Sequence, residues 1–398
     1  MRNAAKVLSL TEQIFASGFT FLLFIVAPRL LTGSELDLYS AIFSVNQSFA
    51  VFLFGLVLLP MSSASGEDAD RQLGISLVLL AVLLLAFAAA VPLVVRAFAS
   101  LDGRLDAGLW GLTAGFFAAQ CGYEAARWLC IRLRGVRQAL TVTFLRLGLF
   151  QATIFGIGAG GHDAYSFALA QIGINVLAVF GYGLVIGRQI GAVRLAFPSG
   201  LAFKHLATFG NSVGTFLTNF AVVALIDRGL GGSGLAAFQA VRSATNPIGL
   251  ISQVLDNHYS AELARTGRRP KRKAKGMNVA LIAAGLLMGA ATAFGPQITS
   301  ILFAGKFDTH WLLLPILLLA SLSHALTRPI FVGWRIDGDT RALNQYSAAL
   351  LVVAFPMLLL TGLNGLTYTM ICLFACLPVA AIAIHLMRRR AEAAGDCA

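Results

Sequence analysis

"RLLTGSEL", residues 29–36, and "RGLGGSGL", residues 228–235, are two versions of one short sequence within a chain of 398 residues. The copies lie 199 residues apart, which is half of the chain, so that Arg29 recurs as Arg228. Over the sixteen positions that start at Arg29, seven residues are identical at this offset. The sequence therefore predicts an internal duplication.

Long apolar runs fill the chain from end to end. Hydrophobic residues make up 58% of the sequence and charged residues only 12%, against about 25% charged residues in a typical soluble domain. A run of about 20 apolar residues is long enough to cross a bilayer as a helix. Runs such as residues 76–95 lack the alternation of a transmembrane β-barrel. We therefore predict an all-α integral membrane protein with twelve transmembrane helices, near residues 8–31, 38–60, 72–95, 108–131, 138–158, 164–187, 205–227, 235–257, 277–303, 310–332, 342–361 and 366–387.

The position of the repeat among these spans predicts how the two halves are related. Six spans, an even number, separate the two copies, so both halves enter the membrane in the same sense. The expected fold is two parallel six-helix repeats around a central cavity, with an N-lobe of residues 1–199 and a C-lobe of residues 200–398. The stretch at 29–36 then forms the outer turn between the first two helices, and its copy joins the seventh helix to the eighth.

The basic residues predict the orientation. The net charge is +12, and of the 30 lysines and arginines 23 fall on the side of the N-terminus, five on the other side and two within spans. Because cytoplasmic loops carry the excess of Lys and Arg, we expect a multi-pass protein of the bacterial inner membrane with both termini in the cytoplasm. The first span is too long for a signal-peptide core, so we expect it to stay uncleaved. We interpret the basic run at 265–275 as a contact with anionic lipid headgroups, and expect no nucleic-acid partner.

Two arginines lie deep inside predicted spans, where an Arg costs about 2.5–3.5 kcal/mol on insertion scales. Arg146 lies in the fifth helix, and Arg242 lies in the eighth on a polar helical stripe. Hydrogen bonds between packed helices are the alternative explanation of such stripes. Because guanidinium groups match phosphate geometry, we predict a cavity for an anionic substrate. Its expected lining is Arg29, Arg146, Arg242, Gln239, Asn246, Asn219, Glu124 and Arg127.

Residues for catalysis or metal binding form no recognisable pattern. The five cysteines lack zinc-finger spacing, the six histidines are scattered, and no Walker A sequence is present. The glycine-rich stretch at 156–161 follows no strand, so we interpret it as an outer turn. We expect no disulfide, no metal site, no cofactor and no enzymatic activity.

The stretch "APRLLTGSELDLYSAIFSV" (27–45) resembles the signature at the first outer turn of the bacterial polysaccharide flippases. The residues that fit this signature are Arg29, Leu31, Gly33 and Tyr39, whereas Leu36 and Asp37 stand where that family has Phe-Gly. The superfamily of these flippases also holds the multidrug and toxin extrusion exporters and the lipid II flippase. The resemblance implies export of a polyprenyl-pyrophosphate-linked sugar unit across the inner membrane by alternating access. Glycosyltransferases and a polysaccharide polymerase are the implied partners.

Three other functions remain open at this point. A multidrug or small-molecule antiporter of the same superfamily would bind organic cations through deep carboxylates, which Arg146 and Arg242 outweigh here. A major-facilitator transporter would also have two six-span halves, but the acidic loop "SSASGEDADRQ" (62–72) does not fit the basic loop that is usual there. A scaffold or assembly subunit without transport activity is the third alternative.

Overall fold

The computed structural model describes residues 2–58, 69–96, 98–101, 103, 106–157, 163–190, 204–266, 285–336, 340–359 and 367–395. The N-lobe helices are α1 (Arg2–Leu30), α2 (Gly33–Phe52, continued by a π-helical turn at Leu53–Leu58), α3 (Ala69–Val95), α4 (Ala107–Arg134), α5 (Val136–Ile157) and α6 (Ala164–Ile190). The C-lobe helices are α7 and α8 (together Lys204–Thr266), α9 (Gly285–Ala293 and Gly295–Phe303), α10 (Leu313–Ile336), α11 (Thr340–Leu359) and α12 (Thr367–Cys376, a 3₁₀ turn at Leu377–Val379, and Ala380–Gly395). The predicted lobe boundary at 199/200 and most of the basic run 265–275 lie outside the described residues.

The junction between α7 and α8 lies at Gly231. Its φ of 74° and ψ of −177° are not helical and divide the segment into α7 (204–230) and α8 (232–266). A positive φ is readily adopted by glycine because it has no Cβ. Thr32, the N-cap of α2, precedes Gly231 by the same 199 residues (231 − 32) that separate the two copies of the quoted stretch. The duplicated sequence thus marks the equivalent helix junction in each half.

α9 is a broken helix whose two halves meet at an angle of 77°. The break lies at Phe294, just before Pro296 in the first turn of the second half, and proline lacks the N–H that would continue the first half. By length and hydropathy alone, six of the described helices are suited to cross a membrane, or seven if α9 counts as one span. Helices such as α4 and α5 have many polar residues, and several of these are buried within the protein.

The two lobes meet where α2 crosses the segment that contains α7 and α8. The rings of Phe49 and Phe216 lie 4.7 Å apart at this crossing, and Gln239 Nε2 donates a hydrogen bond of 2.6 Å to Ser44 Oγ. Within the N-lobe, α1 packs on α5 and α4 packs on α6, whereas α10 and α11 pack on the 204–266 segment in the C-lobe. The two lobes are therefore in direct side-chain contact at this crossing.

Basic side chains join the lobes at the end of the bundle that the charge pattern assigns to the outside. Arg29, at the end of α1, donates to the carbonyl oxygens of Leu302 at 2.9 Å and Ile301 at 3.2 Å, in the last turn of α9. Lys306 in turn donates to the carbonyl oxygen of Leu31 at 2.6 Å. Each helix C-terminus thus receives a cation from the other lobe, which its dipole favours. We call Arg29 and Lys306 the outer latch.

Candidate functional site

Two adjoining cavities lie between the helices, from the middle of the bundle towards the end opposite the outer latch. The C-lobe cavity has a volume of about 340 Å³ and the N-lobe cavity a volume of about 230 Å³. Phe54 contributes to the walls of both cavities. This residue lies in the π-helical turn that ends α2, and π-helical turns are frequent at functional sites.

The C-lobe cavity is basic and aromatic. Arg242 from α8 lines it together with His324 and Arg328 from α10, and its described lining residues include no carboxylate. The rings of Phe331 and Tyr346 form a T-shaped pair on its wall, with centroids 4.6 Å apart. The remaining lining residues are Phe54, Thr215, Thr218, Asn219, Leu350, Phe374, Leu377 and Pro378. The cavity can therefore hold an anionic group beside an aromatic surface.

Neutral polar side chains and apolar side chains share the lining of the N-lobe cavity, and six of the lining residues are neutral and polar. These six are Gln13, Ser17, Thr20, Asn46, Gln47 and Gln120. The charged lining residues are Glu124 and Arg127, and Arg127 Nη1 donates to Glu124 Oε2 at 2.9 Å. Arg127 also pairs with Glu12 behind this wall, so the three formal charges sum to −1. The N-lobe cavity therefore lacks the positive charge of its neighbour.

A buried ion pair between Arg127 and Glu12 lies behind the wall of the N-lobe cavity. Arg127 Nε and Nη2 donate to the two carboxylate oxygens of Glu12 at 2.6 and 2.8 Å, and both side chains are no more than 4% exposed. Thr143 Oγ1 donates to Glu12 Oε1 at 3.0 Å. Because a buried charge without its partner is strongly destabilising, this cluster fixes α1, α4 and α5 relative to each other.

Arg146 lies inside the N-lobe and is not a lining residue of either cavity, which differs from our expectation that it faces the space between the lobes. Its guanidinium lies between the rings of Phe19 and Tyr123, 3.6 and 3.7 Å from their centroids. Arg146 Nε also donates to Asn175 Oδ1 at 3.0 Å. Two aromatic faces attract the cation and allow its burial within a helix bundle. A direct substrate contact of Arg146 stays a prediction.

Two other predicted lining residues, Gln239 and Arg29, also lie elsewhere. Gln239 is buried at the crossing with α2, because the lobes press together along that face of α8. Arg29 belongs to the outer latch, since it ends α1 at the turn into α2. The side chain of Asn246 lies outside the described part of the structure. The predicted residues that do line the cavities are Glu124, Arg127, Asn219 and Arg242.

Several residues of the site are absent from the sequence-based set. Arg328 counts towards the cytoplasmic charge in the sequence, yet it lines the C-lobe cavity one helical turn after His324. Their spacing of four residues is a usable signal, because residues i and i+4 share a helix face. Glu12 lies within the first predicted span, where a carboxylate is itself a signal, but its partner Arg127 is 115 residues away and cannot be read from the sequence.

The fold is similar to that of solved transporters. An inward-facing multidrug resistance MATE family transporter of the MOP superfamily matches with a TM-score of 0.54 and 14% identity, over 98% of this chain and 95% of that chain. A MATE transporter in the bent conformation matches with a TM-score of 0.56 and 14% identity, over 98% and 94%. A eukaryotic MATE transporter matches with a TM-score of 0.54 and 15% identity, over 96% and 94%. No family model matches the chain, and no curated protein matches its sequence.

These matches cover both halves of the chain, and identities near 14% establish a shared fold only. The prediction of an all-α membrane protein with two six-helix repeats around a central cavity is confirmed. The predicted superfamily and the polysaccharide substrate both stay predictions. The chain has the fold of the MATE family transporters of the MOP superfamily.

Proposed function

We propose that this chain is a lipid-linked oligosaccharide flippase. It moves a polyprenyl-pyrophosphate-linked sugar unit from the cytoplasmic to the periplasmic leaflet of the bacterial inner membrane by alternating access. The observation that carries the proposal is the C-lobe cavity, where Arg242, Arg328 and His324 converge and the described lining includes no carboxylate. A diphosphate suits such a site, because guanidinium groups donate paired, charge-assisted hydrogen bonds to phosphate oxygens.

The arrangement of closed and open regions fits a transport cycle. The outer latch joins the lobes at one end, and the cavities lie towards the other end. A diphosphate that enters the C-lobe cavity exchanges water for charge-assisted hydrogen bonds worth about 1.5–3 kcal/mol each. A few arginines lower the barrier to crossing and still permit release. Membrane lipids surround the lipid tail, and glycosyltransferases and a polysaccharide polymerase supply and consume the substrate.

The test is flipping by the purified, full-length protein in proteoliposomes that contain a fluorescent polyprenyl-pyrophosphate-linked sugar. Arg242→Gln should reduce flipping about tenfold or more, because at least one charge-assisted hydrogen bond is lost. Arg242→Lys should keep part of the activity, because lysine keeps the positive charge but lacks the planar guanidinium that donates paired hydrogen bonds. Arg137→Gln, which removes an exposed arginine at the start of α5, is the matched control. Normal flipping by well-folded Arg242→Gln would refute the proposal.

A multidrug or small-molecule antiporter is the second candidate. The multidrug resistance transporter among the matched structures favours it, and so does the carboxylate of Glu124 on the wall of the N-lobe cavity. An antiporter should export a cationic dye from cells, and Glu124→Gln should reduce that export while Arg242→Gln should not. The opposite pattern, with no dye export and a dependence on Arg242, supports the flippase.

A further inference from the structure

We propose that the N-lobe cavity is a glycan subsite, which holds the sugar of the substrate whose diphosphate lies in the C-lobe cavity. This inference rests on the proposed function and assigns a different part of the substrate to each lobe. The two cavities share Phe54 as a common wall. The cavities therefore adjoin at Phe54, and the proposal places the glycan on one side of this residue and the diphosphate on the other.

The lining of the N-lobe cavity suits hydroxyl groups. Six neutral side chains with amide or hydroxyl groups contribute to it, and the other lining residues are the Glu124–Arg127 pair and apolar residues that include Trp128 and Phe117. A sugar hydroxyl both donates and accepts hydrogen bonds, and it is best matched where donors and acceptors are interleaved. The C-lobe cavity presents cations instead. The neutral hydrogen-bonding groups of the N-lobe cavity thus suit a glycan, and the positive charge of the C-lobe cavity suits a diphosphate.

Asn46 provides a fixed acceptor in this wall. Its Nδ2 donates to the carbonyl oxygen of Ile42 at 2.7 Å, which orients the amide. Asn46 is 3% exposed, and its Oδ1 has no hydrogen-bond partner among the described residues. A buried acceptor without a partner is costly and calls for an explanation. A ligand hydroxyl that donates to Asn46 Oδ1 would satisfy it.

Gln120 provides a donor whose direction is set by a chain of hydrogen bonds. Arg146 can only donate, so Asn175 must accept through Oδ1, at 3.0 Å from Arg146 Nε. Asn175 then donates from Nδ2 to Gln120 Oε1 at 3.0 Å. Gln120 therefore turns its NH₂ group away from Asn175. Arg146 is in this way a positioning residue for the glycan subsite.

The experiment compares two kinds of probe on the purified full-length protein. The first is farnesyl pyrophosphate, and the second is farnesyl pyrophosphate linked to glucose, galactose or N-acetylglucosamine. We expect the wild-type protein to bind at least one sugar-bearing probe more tightly than the sugar-free probe. Asn46→Leu and Gln120→Leu should each lower the affinity for that sugar-bearing probe roughly three- to tenfold, which corresponds to the loss of one neutral hydrogen bond. The affinity for the sugar-free probe should stay unchanged. Arg242→Gln should lower the affinity for both kinds of probe equally.

The outcomes separate the subsite from the proposed function. If no sugar-bearing probe binds more tightly than the sugar-free one, or if Asn46→Leu weakens both kinds equally, the glycan subsite is refuted while the diphosphate site stands. If the wild-type protein binds neither kind of probe, both proposals are refuted. Asn46→Leu is nearly isosteric, and it removes both the acceptor that has no partner and the hydrogen bond from Nδ2 to the carbonyl oxygen of Ile42. Its melting temperature should therefore fall by only about a few degrees on general stability scales. Asn46→Asp keeps an acceptor oxygen and should retain the sugar preference if Asn46→Leu fails to fold.

Discussion

At the scale of the residue, Arg146 is a buried cation held by aromatic faces. Each cation–π contact of a desolvated guanidinium is worth about 0.5–2 kcal/mol, and Arg146 makes one with Phe19 and one with Tyr123. We predict that Arg146→Gln lowers the apparent melting temperature clearly, because both contacts and the bond to Asn175 are lost. Intrinsic tryptophan fluorescence during heating measures this effect.

Arg137→Gln is the control for this substitution, since Arg137 lies in the same helix and is exposed. Arg146 lines neither cavity, so Arg146→Gln should leave the binding of sugar-free farnesyl pyrophosphate unchanged. If it instead weakens that binding as much as Arg242→Gln does, Arg146 contacts the diphosphate and our account of its position is wrong.

At the scale of the element, the crossing of α2 and α8 requires a glycine at the start of α8. A Cβ on Gly232 would lie 2.6 Å from the Cβ of Asp37 in α2, whereas a Cβ on Gly33 would meet nothing within 4 Å. Overpacking of this kind costs about 1–3 kcal/mol. We predict that Gly232→Ala lowers thermal stability, whereas Gly33→Ala, at the matching position of the other repeat, does not. Equal melting temperatures for the two variants would show that the crossing tolerates a side chain.

At the scale of the whole molecule, the outer latch should set the balance between conformations. Arg29 and Lys306 donate across the lobes to helix C-termini, and their removal should favour separation at that end. We predict that Arg29→Gln combined with Lys306→Gln adds a longer component to the distance between spin labels at Ser34 and Ala304. The labels are attached to introduced cysteines after replacement of the five natural ones. Arg96→Gln is the control, and an unchanged distance distribution in the latch variant would contradict a role in closure.

The orientation of the molecule gives a second prediction at this scale. The 23-to-5 distribution of basic residues places residues 66 and 395 in the cytoplasm and residues 103 and 307 outside. Fusions of alkaline phosphatase and green fluorescent protein at these four positions measure the location of each. A periplasmic signal at residue 395 would overturn the proposed topology, and with it the assignment of the outer latch to the outside.

The sequence by itself determined the class of protein and the plan of its two halves. Hydropathy is summed over neighbouring residues, so long apolar runs predict membrane-spanning helices from local composition. The duplicated stretch likewise located two equivalent junctions, one of which requires the positive φ of Gly231. Arg242 was assigned to a cavity because it lies on a polar stripe of helical spacing, and both Arg242 and Asn219 line one.

Only the tertiary structure decided which polar residue meets a cavity and which meets protein. Arg146 and Arg242 each lie deep in a predicted span, and the sequence predicts a cavity contact for both. Arg146 is enclosed by rings from α1 and α4, whereas Arg242 lines a cavity with two residues of α10. The difference depends on how each helix is rotated about its axis and which helix packs against it. Those are set by contacts between residues far apart in sequence, such as Glu12 and Arg127, and no local pattern encodes them.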